Sequence, residues 1–461
     1  MTDIFLGIDI GTTAIKFGAI AQGETIFYHR VPLETYSESG GVRYQKASEI
    51  LVIIQNELRE IPRSLKQRIT KISFSVAMHS CMPVVAGEFE QVFIWSDTQS
   101  KEAIAVFKQA NEAERFYQKT GTPIHEMTPF AKILYFKKRK MYPENTKWLG
   151  LKELLMGFFT GVSTIDLSTA SATGLLNLAK RQWDKEILGY LGISTDQLGQ
   201  LVEPTTSYLI KRELADELHF LPGVQVFAGA SDGCLAAYGG YLANGLSASL
   251  TIGTSAAVRE ITSTPVLDWQ RQNFCYYLTE NIYVIGAPSN NGGKVLEWAS
   301  QVFADDPVQF YEKIPDYLAQ SPIGAKGLRF FPYINGERAP LWKANQTAEF
   351  KGLTIHHRRA EMVRAVIEGV LFNVKRLHEM VNEPSNLAVS GGFFESAVLC
   401  QLTADILGAD CWLAGENEPI YGLYGLITQV ASKQSPIRLQ KWSANQESHA
   451  EFQPVFQTYF D

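Results

Sequence analysis

Hydrophobic positions recur along this chain in two patterns, and each predicts one kind of element. Short unbroken runs rich in β-branched residues predict buried strands. They fall at Ile4 to Ile10 and Ala14 to Ile20, with Gly11-Thr12-Thr13 as a tight turn between them. Further strands are predicted at Glu24 to Pro32, Ile72 to Val76, Val92 to Trp95, Val224 to Ala228, Tyr283 to Ala287 and from Leu387 to the glycine pair Gly391-Gly392. Helical spacing appears in Ser48 to Glu60, where Ile50, Ile53, Ile54 and Leu58 share a face and Pro62 closes the run. Ala103 to Gln118, Ala131 to Lys140, Leu151 to Phe159, the small-residue run Cys234 to Tyr241 and the long amphipathic stretch Arg358 to Met380 also read as helices. The alternation predicts an α/β protein.

One pattern occurs twice. Ser249-Leu250-Thr251-Ile252-Gly253-Thr254-Ser255-Ala256-Ala257-Val258 repeats the Ile-Gly-Thr-Thr/Ser-Ala core of Ile10 to Ala14. Two copies, one opening each half, imply a duplicated domain. The second copy carries Thr251 where the first carries Asp9. A chain of 461 residues exceeds a single core. The flexible Ala-Asn-Gly join near Tyr241 to Ser247 places the boundary, giving domains 1–244 and 245–461.

Charge narrows the choice of partner. A net charge of −6 argues against a nucleic-acid surface. The basic run Lys137 to Lys140 ends a helix, as the helix dipole favours. Five scattered cysteines without CxxC spacing predict neither a disulfide framework nor a zinc site. The start Met1-Thr2-Asp3-Ile4 lacks a basic leader, and no apolar run reaches the ~18 residues of a membrane span, so a cytoplasmic protein is expected.

Candidate chemistry clusters at strand ends, where open α/β sheets place ligands. A Gly-Thr-Thr turn presents backbone N–H groups and hydroxyls together, which suits phosphate. Asp9 would be repelled by phosphate, so it fits there with Mg²⁺ between them, held through water. An aspartate inside an apolar strand is otherwise costly unless paired. Asp232 follows a buried strand between Ser231 and Gly233 and precedes a small-residue helix that leaves room for a substrate. It reads either as a reactive carboxylate or as a helix N-cap. His79 can bond a substrate hydroxyl or serve as a satisfied structural group. Trp95 and Asp97 form a sugar-binding pair or, for Trp95, plain core. Gly391 and Gly392 permit close approach to a flat ring or make a tight turn. Glu337 and Arg338 read as an ion pair that fixes a turn.

Taken together, these motifs resemble the FGGY carbohydrate kinases over about residues 4 to 430. Asp9 to Lys16 and Thr251 to Ser255 are similar to the family's two phosphate motifs. Ala348, Phe350, Gly352 and Leu353, continued by Glu361 to Glu368, resemble its C-terminal signature. Met127, Pro129 and Lys132 fit the N-terminal one, with Tyr135 standing where a Trp is usual. Within the family, Ala77 to Ser80, Gly121 to His125, Ser171 to Leu175 and Pro288 to Gly293 resemble the gluconokinases.

The resemblance implies two ribonuclease H-like domains of the actin/hexokinase superfold with a nucleotide cleft between them. It implies ATP and Mg²⁺ as cofactors and a small sugar or sugar acid as partner, and it is compatible with a homodimer. Asp232 would be the general base and Asp9 would organise Mg²⁺ through water. Gly11, Thr12, Thr13, Gly253 and Thr254 would contact phosphates, with Lys16 nearby. Gly293, Gly391, Gly392 and Ser396 would line the adenosine site. Met78, His79 and Trp95 would line the sugar site, with Asp97 close by. Two departures stand out: Gln99 where many relatives have Arg, and Tyr421 and Tyr424 in a stretch usually built of small residues. The alternatives are a xylulokinase or other pentulose kinase and, outside the enzymes, an actin-like nucleotide switch.

Overall fold

The computed structural model describes residues 3–415, 419–430 and 439–461. Met1 and Thr2, which carry part of the expectation about a leader, lie outside the described residues.

Each half is built on one mixed sheet. In the first, β1 (Ile4–Ile10), β2 (Ala14–Ala21) and β3 (Glu24–Pro32) form an antiparallel meander. On its other side β1 pairs in parallel with β4 (Ile69–Val76). The sheet continues from β4 to β6 (Gln225–Ser231), also parallel, and ends on β5 (Ser207–Leu209), antiparallel. All seven residues of β1 are buried, which is why the run shows no alternation. Helices α1 (Ala47–Glu60) and α2 (Leu151–Thr160) share a hydrophobic core with this sheet.

The second half repeats the plan. β7 (Ala248–Ile252) and β8 (Ala256–Thr262) form the second hairpin, flanked by β10 (Ile282–Ser289) and then β9 (Phe274–Thr279). On the other side β7 pairs in parallel with β11 (Asn386–Ser390), and β11 with β12 (Asp410–Leu413). A short β13 (Lys441–Trp442) closes that edge, antiparallel.

Helix α3 (Asp232–Asn244) joins the halves and ends on Gly245, whose φ of +77° makes it a left-handed helix terminator. Helices α4 (Gly293–Phe303), α5 (Arg359–Glu379) and α6 (Ala397–Leu407) pack on the second sheet. Helix α7 (Pro419–Thr428) comes from the second half but lies on the first. Its Leu423, Leu426 and Ile427 join Phe5, Leu235, Phe274 and Tyr276 in a core shared by both halves. A Cβ on Gly7 or Gly18 would meet Ile420 Cγ2 at 2.8 or 3.0 Å, so these two glycines form the notch that seats α7. Gly422 and Gly425 face α3, against Leu235 and Leu242. The two tyrosines of α7 therefore do not crowd that contact: Tyr424 instead meets Phe5 edge-on at 5.7 Å.

Two sequence expectations need correction, and one strand goes beyond them. Ala103 to Gln118 is two helices, Lys101–Phe107 and Glu112–Thr120, because the break lets Phe107 and Phe116 turn into one core. The strand expected through Trp95 stops at Phe93. Phe274–Thr279, not anticipated from the pattern, is the edge strand β9.

Candidate active site

The first hairpin closes on a Gly11 N–H to Ala14 carbonyl bond of 3.0 Å. The turn is pinned from outside. The Thr12 carbonyl accepts from Gln45 Nε2 at 2.8 Å, and its hydroxyl accepts the Trp95 indole N–H at 2.9 Å. Asp9 and Lys16 stand opposite each other in the ladder, with Nζ 4.0 Å from Oδ2. Ser75, opposite Asp9 on β4, donates to Asp9 Oδ1 at 2.6 Å. The carboxylate is therefore held by two neighbours although it is nearly buried.

Asp232 is the first residue of α3, and Ser231 occupies the N-cap without a capping bond from its side chain. The N-cap alternative for Asp232 is thus corrected by one residue. Its Oδ1 accepts the N–H of Gly233 at 2.8 Å and of Met78 at 3.3 Å. Burial pushes its carboxyl above the usual range, while those two N–H groups and the Arg259 guanidinium pull the other way. Asp9, Gly11, Thr13, Lys16, Asp232 and Arg259 all line one cavity of about 570 Å³.

His79 takes a left-handed backbone, φ +66°, just past β4. Its Nδ1–H donates to the Ala172 carbonyl at 2.7 Å, and burial pushes its pKa down to about 3. The ring is therefore neutral, with Nε2 left as an acceptor. Trp95 lies over the first turn, and the Arg338 guanidinium sits 5.4 Å from its ring centre. Asp97 is fully buried and takes up its Oδ2 with the Arg43 N–H at 2.9 Å and Gln99 Nε2 at 2.8 Å. Burial raises its carboxyl, countered first by Lys132. Gln99 thereby has a role that its sequence position did not show. The expected Glu337–Arg338 ion pair does not form. Glu337 instead accepts from Ser289 Oγ, the Asn290 N–H, and the side-chain amides of Asn291 and Asn373. Five donors including the Arg338 N–H satisfy that carboxylate, which leaves the guanidinium to reach the cleft.

The second hairpin closes similarly, Gly253 N–H to Ser255 carbonyl at 3.0 Å. Its carbonyls receive the first N–H groups of α4: Gly293 bonds Gly253 at 2.6 Å and Lys294 bonds Thr254 at 3.3 Å. Gly253, Thr254, Gly293, Gly392 and Ser396 line a second cavity of about 680 Å³ with apolar walls from Leu296, Phe393 and Leu399. Gly391 stands behind it. At φ +103° its Cβ would lie 2.4 Å from the Ile252 carbonyl oxygen, so its glycine is needed for strand packing.

Sequence reasoning missed Arg259, Tyr276 and Ser75. The signal for Arg259 was a lone cation one residue beyond the second repeat, in a strand that is otherwise apolar at its start.

Two half-sheets of the same plan, each ending in a Gly-Thr hairpin beside a cavity, with a carboxylate facing that space from a helix start, define the actin/hexokinase-like class of phosphotransferases. Residues 4–239 match the FGGY family of carbohydrate kinases, N-terminal domain, and residues 248–422 match the C-terminal domain. The chain belongs to the FGGY family of carbohydrate kinases. It is 35% identical to a gluconokinase of Bacillus subtilis over 436 residues, 89% of this chain and 84% of that protein. The crystal structure of gluconate kinase from Lactobacillus acidophilus superposes with a TM-score of 0.90 at 30% identity, covering 100% of this chain and 97% of that one. A ligand-bound xylulose kinase from the same organism gives the same TM-score and identity, covering 99% and 97%. Among the described residues no helix is long and apolar enough to cross a membrane.

Proposed function

We propose that this carbohydrate kinase transfers the γ-phosphoryl group of ATP to the primary hydroxyl of D-gluconate, giving 6-phosphogluconate and ADP. The observation that carries the reading is the shared cavity of Asp232 with Asp9, Lys16 and the first Gly-Thr turn. The similarity to gluconokinases favours a sugar acid as acceptor.

Asp232 acts as the general base. The N–H groups of Met78 and Gly233 fix its Oδ1, which leaves the other oxygen to accept the hydroxyl proton. Such proton transfer is worth about 10²–10⁴-fold. His79 Nε2 accepts from a substrate hydroxyl, and Met78 and Trp95 cover the apolar face of the carbon chain, with Asp97 supporting them from behind. The turn of Gly11, Thr12 and Thr13, with Lys16, and the turn of Gly253 and Thr254 hold the phosphates from opposite halves. Gly293, Gly392 and Ser396 receive the adenosine, and Gly391 keeps that loop against β7.

Among the described residues no group of three His, Cys, Asp or Glu could hold a metal alone. Asp9 would hold Mg²⁺ through water, a role that fits an ion bound by proteins through one or two carboxylates. When bound, the ion offsets charge on the transferring group. We place the domain division at 1–244 and 245–461, where α3 ends.

The test is ADP release with Mg²⁺-ATP and D-gluconate, D-xylulose, L-ribulose, glycerol or no sugar. Turnover on gluconate is expected. Turnover on a pentulose alone would move the substrate to the xylulokinase reading, which the equal similarity to a xylulose kinase structure keeps in view. Sugar-independent turnover would point to a nucleotide switch.

A further inference from the structure

Three buried donors around the residues of the proposed sugar site have no acceptor: Arg259 lines the cavity of Asp232, Arg338 lies by Trp95 and Tyr276 by His79. Arg259 Nε, Arg338 Nε and the Tyr276 hydroxyl are each shut off from solvent and without a hydrogen-bond partner. A buried donor left unmet is destabilising, and two of these three belong to cations.

The fold brings them together deliberately. Arg259 on β8 stands opposite Gly286 of β10, and Gly286 stands opposite Phe274 of β9. Tyr276 lies two residues along β9 from Phe274, so Arg259, Phe274 and Tyr276 share one face of the sheet. A Cβ on Gly286 would lie 2.3 Å from Phe274 Cζ, so glycine there lets the Phe274 ring lie flat across the sheet. That ring stacks on Tyr276 at 4.7 Å and fixes it, while His79 meets Tyr276 edge-on at 6.0 Å. Arg338 arrives from the loop after the strand Arg329–Phe331, and its side chain is anchored by one bond, to the Ser289 carbonyl at 3.1 Å.

Burial lowers Arg338 to about 10, and the Arg259 guanidinium adds to this. Among the described residues no carboxylate forms an ion pair with either guanidinium, although Glu337 and Asp232 attract them from a distance. Glu337 is taken up by its own ring of donors. Asp232 attracts Arg259 without an ion pair forming. A buried cation pair with unmet donors is a receptor for an anion. Guanidinium forks match a planar two-oxygen group.

We infer that Arg259 and Arg338, with the Tyr276 hydroxyl, bind the carboxylate of a sugar-acid substrate and select it over neutral sugars. This rests on the reading above that the acceptor is a sugar acid. The same donors could instead serve a phosphate of the nucleotide, and the experiment separates the two.

Calorimetric titration of the full chain with D-gluconate, with D-glucitol (the same carbon chain without the carboxylate) and with ADP is the test. Wild type should bind gluconate at least 10-fold more tightly than glucitol. In Arg259→Gln and Arg338→Gln the gluconate Kd should rise about 10–100-fold, as expected for a lost charged hydrogen bond, so the gluconate/glucitol ratio collapses while the ADP Kd stays put. Arg259→Lys and Arg338→Lys keep the charge and much of the volume. They should fall between wild type and the glutamine variants, and they carry the test if the latter fail to fold. A ratio unchanged in the variants, or a loss confined to ADP, overturns the carboxylate assignment alone. A wild type that binds no gluconate overturns the gluconate reading and this inference with it.

Discussion

The two hairpins occupy equivalent places in two sheets of the same plan, and they carry different chemistry. In the first, Asp9 stands across the ladder from Lys16 on one side and Ser75 on the other. In the second, the same two ladder positions around Thr251 hold Ala257 and Ser390. The serine contact survives in both, at 2.6 Å to Asp9 and 3.2 Å to Thr251. Only the first half keeps a carboxylate and an amine. On the proposed reading, duplication supplied two turns for the phosphates, while at these ladder positions the charge was kept in one. The segments that follow diverge likewise. Past β4 comes Met78, whose N–H bonds Asp232; past β11 comes Gly391-Gly392, of which Gly392 lines the second cavity.

The largest effect should come from removing the base. Asp232→Asn should lower kcat about 10²–10⁴-fold with ADP affinity retained, as read by ADP release and calorimetry. Near-normal turnover would disprove the role. In wild type the acid limb of kcat against pH should lie above the ordinary aspartate value of 3.8, because burial raises the Asp232 carboxyl and only its ionised form accepts a proton. A limb at or below that value would contradict the burial argument.

Asp9→Thr turns the first hairpin into a copy of the second. If the division of labour is as described, kcat should fall about 10²–10³-fold, measured by ADP release over a Mg²⁺ series. A loss under threefold would mean the halves share the charge work. The reciprocal change, Thr251→Asp, should leave a half-buried carboxylate with no amine opposite it. Its pKa would rise on folding, so the stability deficit would be small near pH 4 and grow as pH rises, to about 1–3 kcal/mol at pH 8. Urea unfolding at the two pH values reads this, and a deficit independent of pH would count against it.

The smallest effect concerns packing. Gly7→Ala pushes a methyl toward Ile420 and should cost about 1–3 kcal/mol in urea unfolding. No change would mean that α7 shifts freely on the first sheet.

Both turns were legible in the sequence because a Gly-Thr-Thr/Ser turn between apolar runs is a local signal, and so were Asp9 and Asp232. The residues expected at the adenosine, Gly293, Gly392 and Ser396, followed from motif resemblance, and the structure sets them with Gly253 around one cavity. Arg259, Tyr276 and Arg338 were not legible as a group. Their convergence depends on the registry of three antiparallel strands and on a loop some sixty residues further on. In sequence Arg338 reads as the partner of Glu337, because the four donors that occupy this glutamate from Ser289, Asn290, Asn291 and Asn373 lie far away in the chain. Asp97 was expected beside the substrate because a carboxylate after Trp reads as a sugar ligand. Its bonds to Arg43 and Gln99 come from distant and local chain, respectively, and only the first was invisible.

The notch formed by Gly7 and Gly18 receives Ile420, a residue made some four hundred positions later. A ribosome building this chain therefore exposes the first sheet long before the helix that covers it exists. The N-terminal half can reach its final form only after Ile420 has been made. Severing the chain after Asn244 would leave two fragments, each lacking part of a surface that the other supplies.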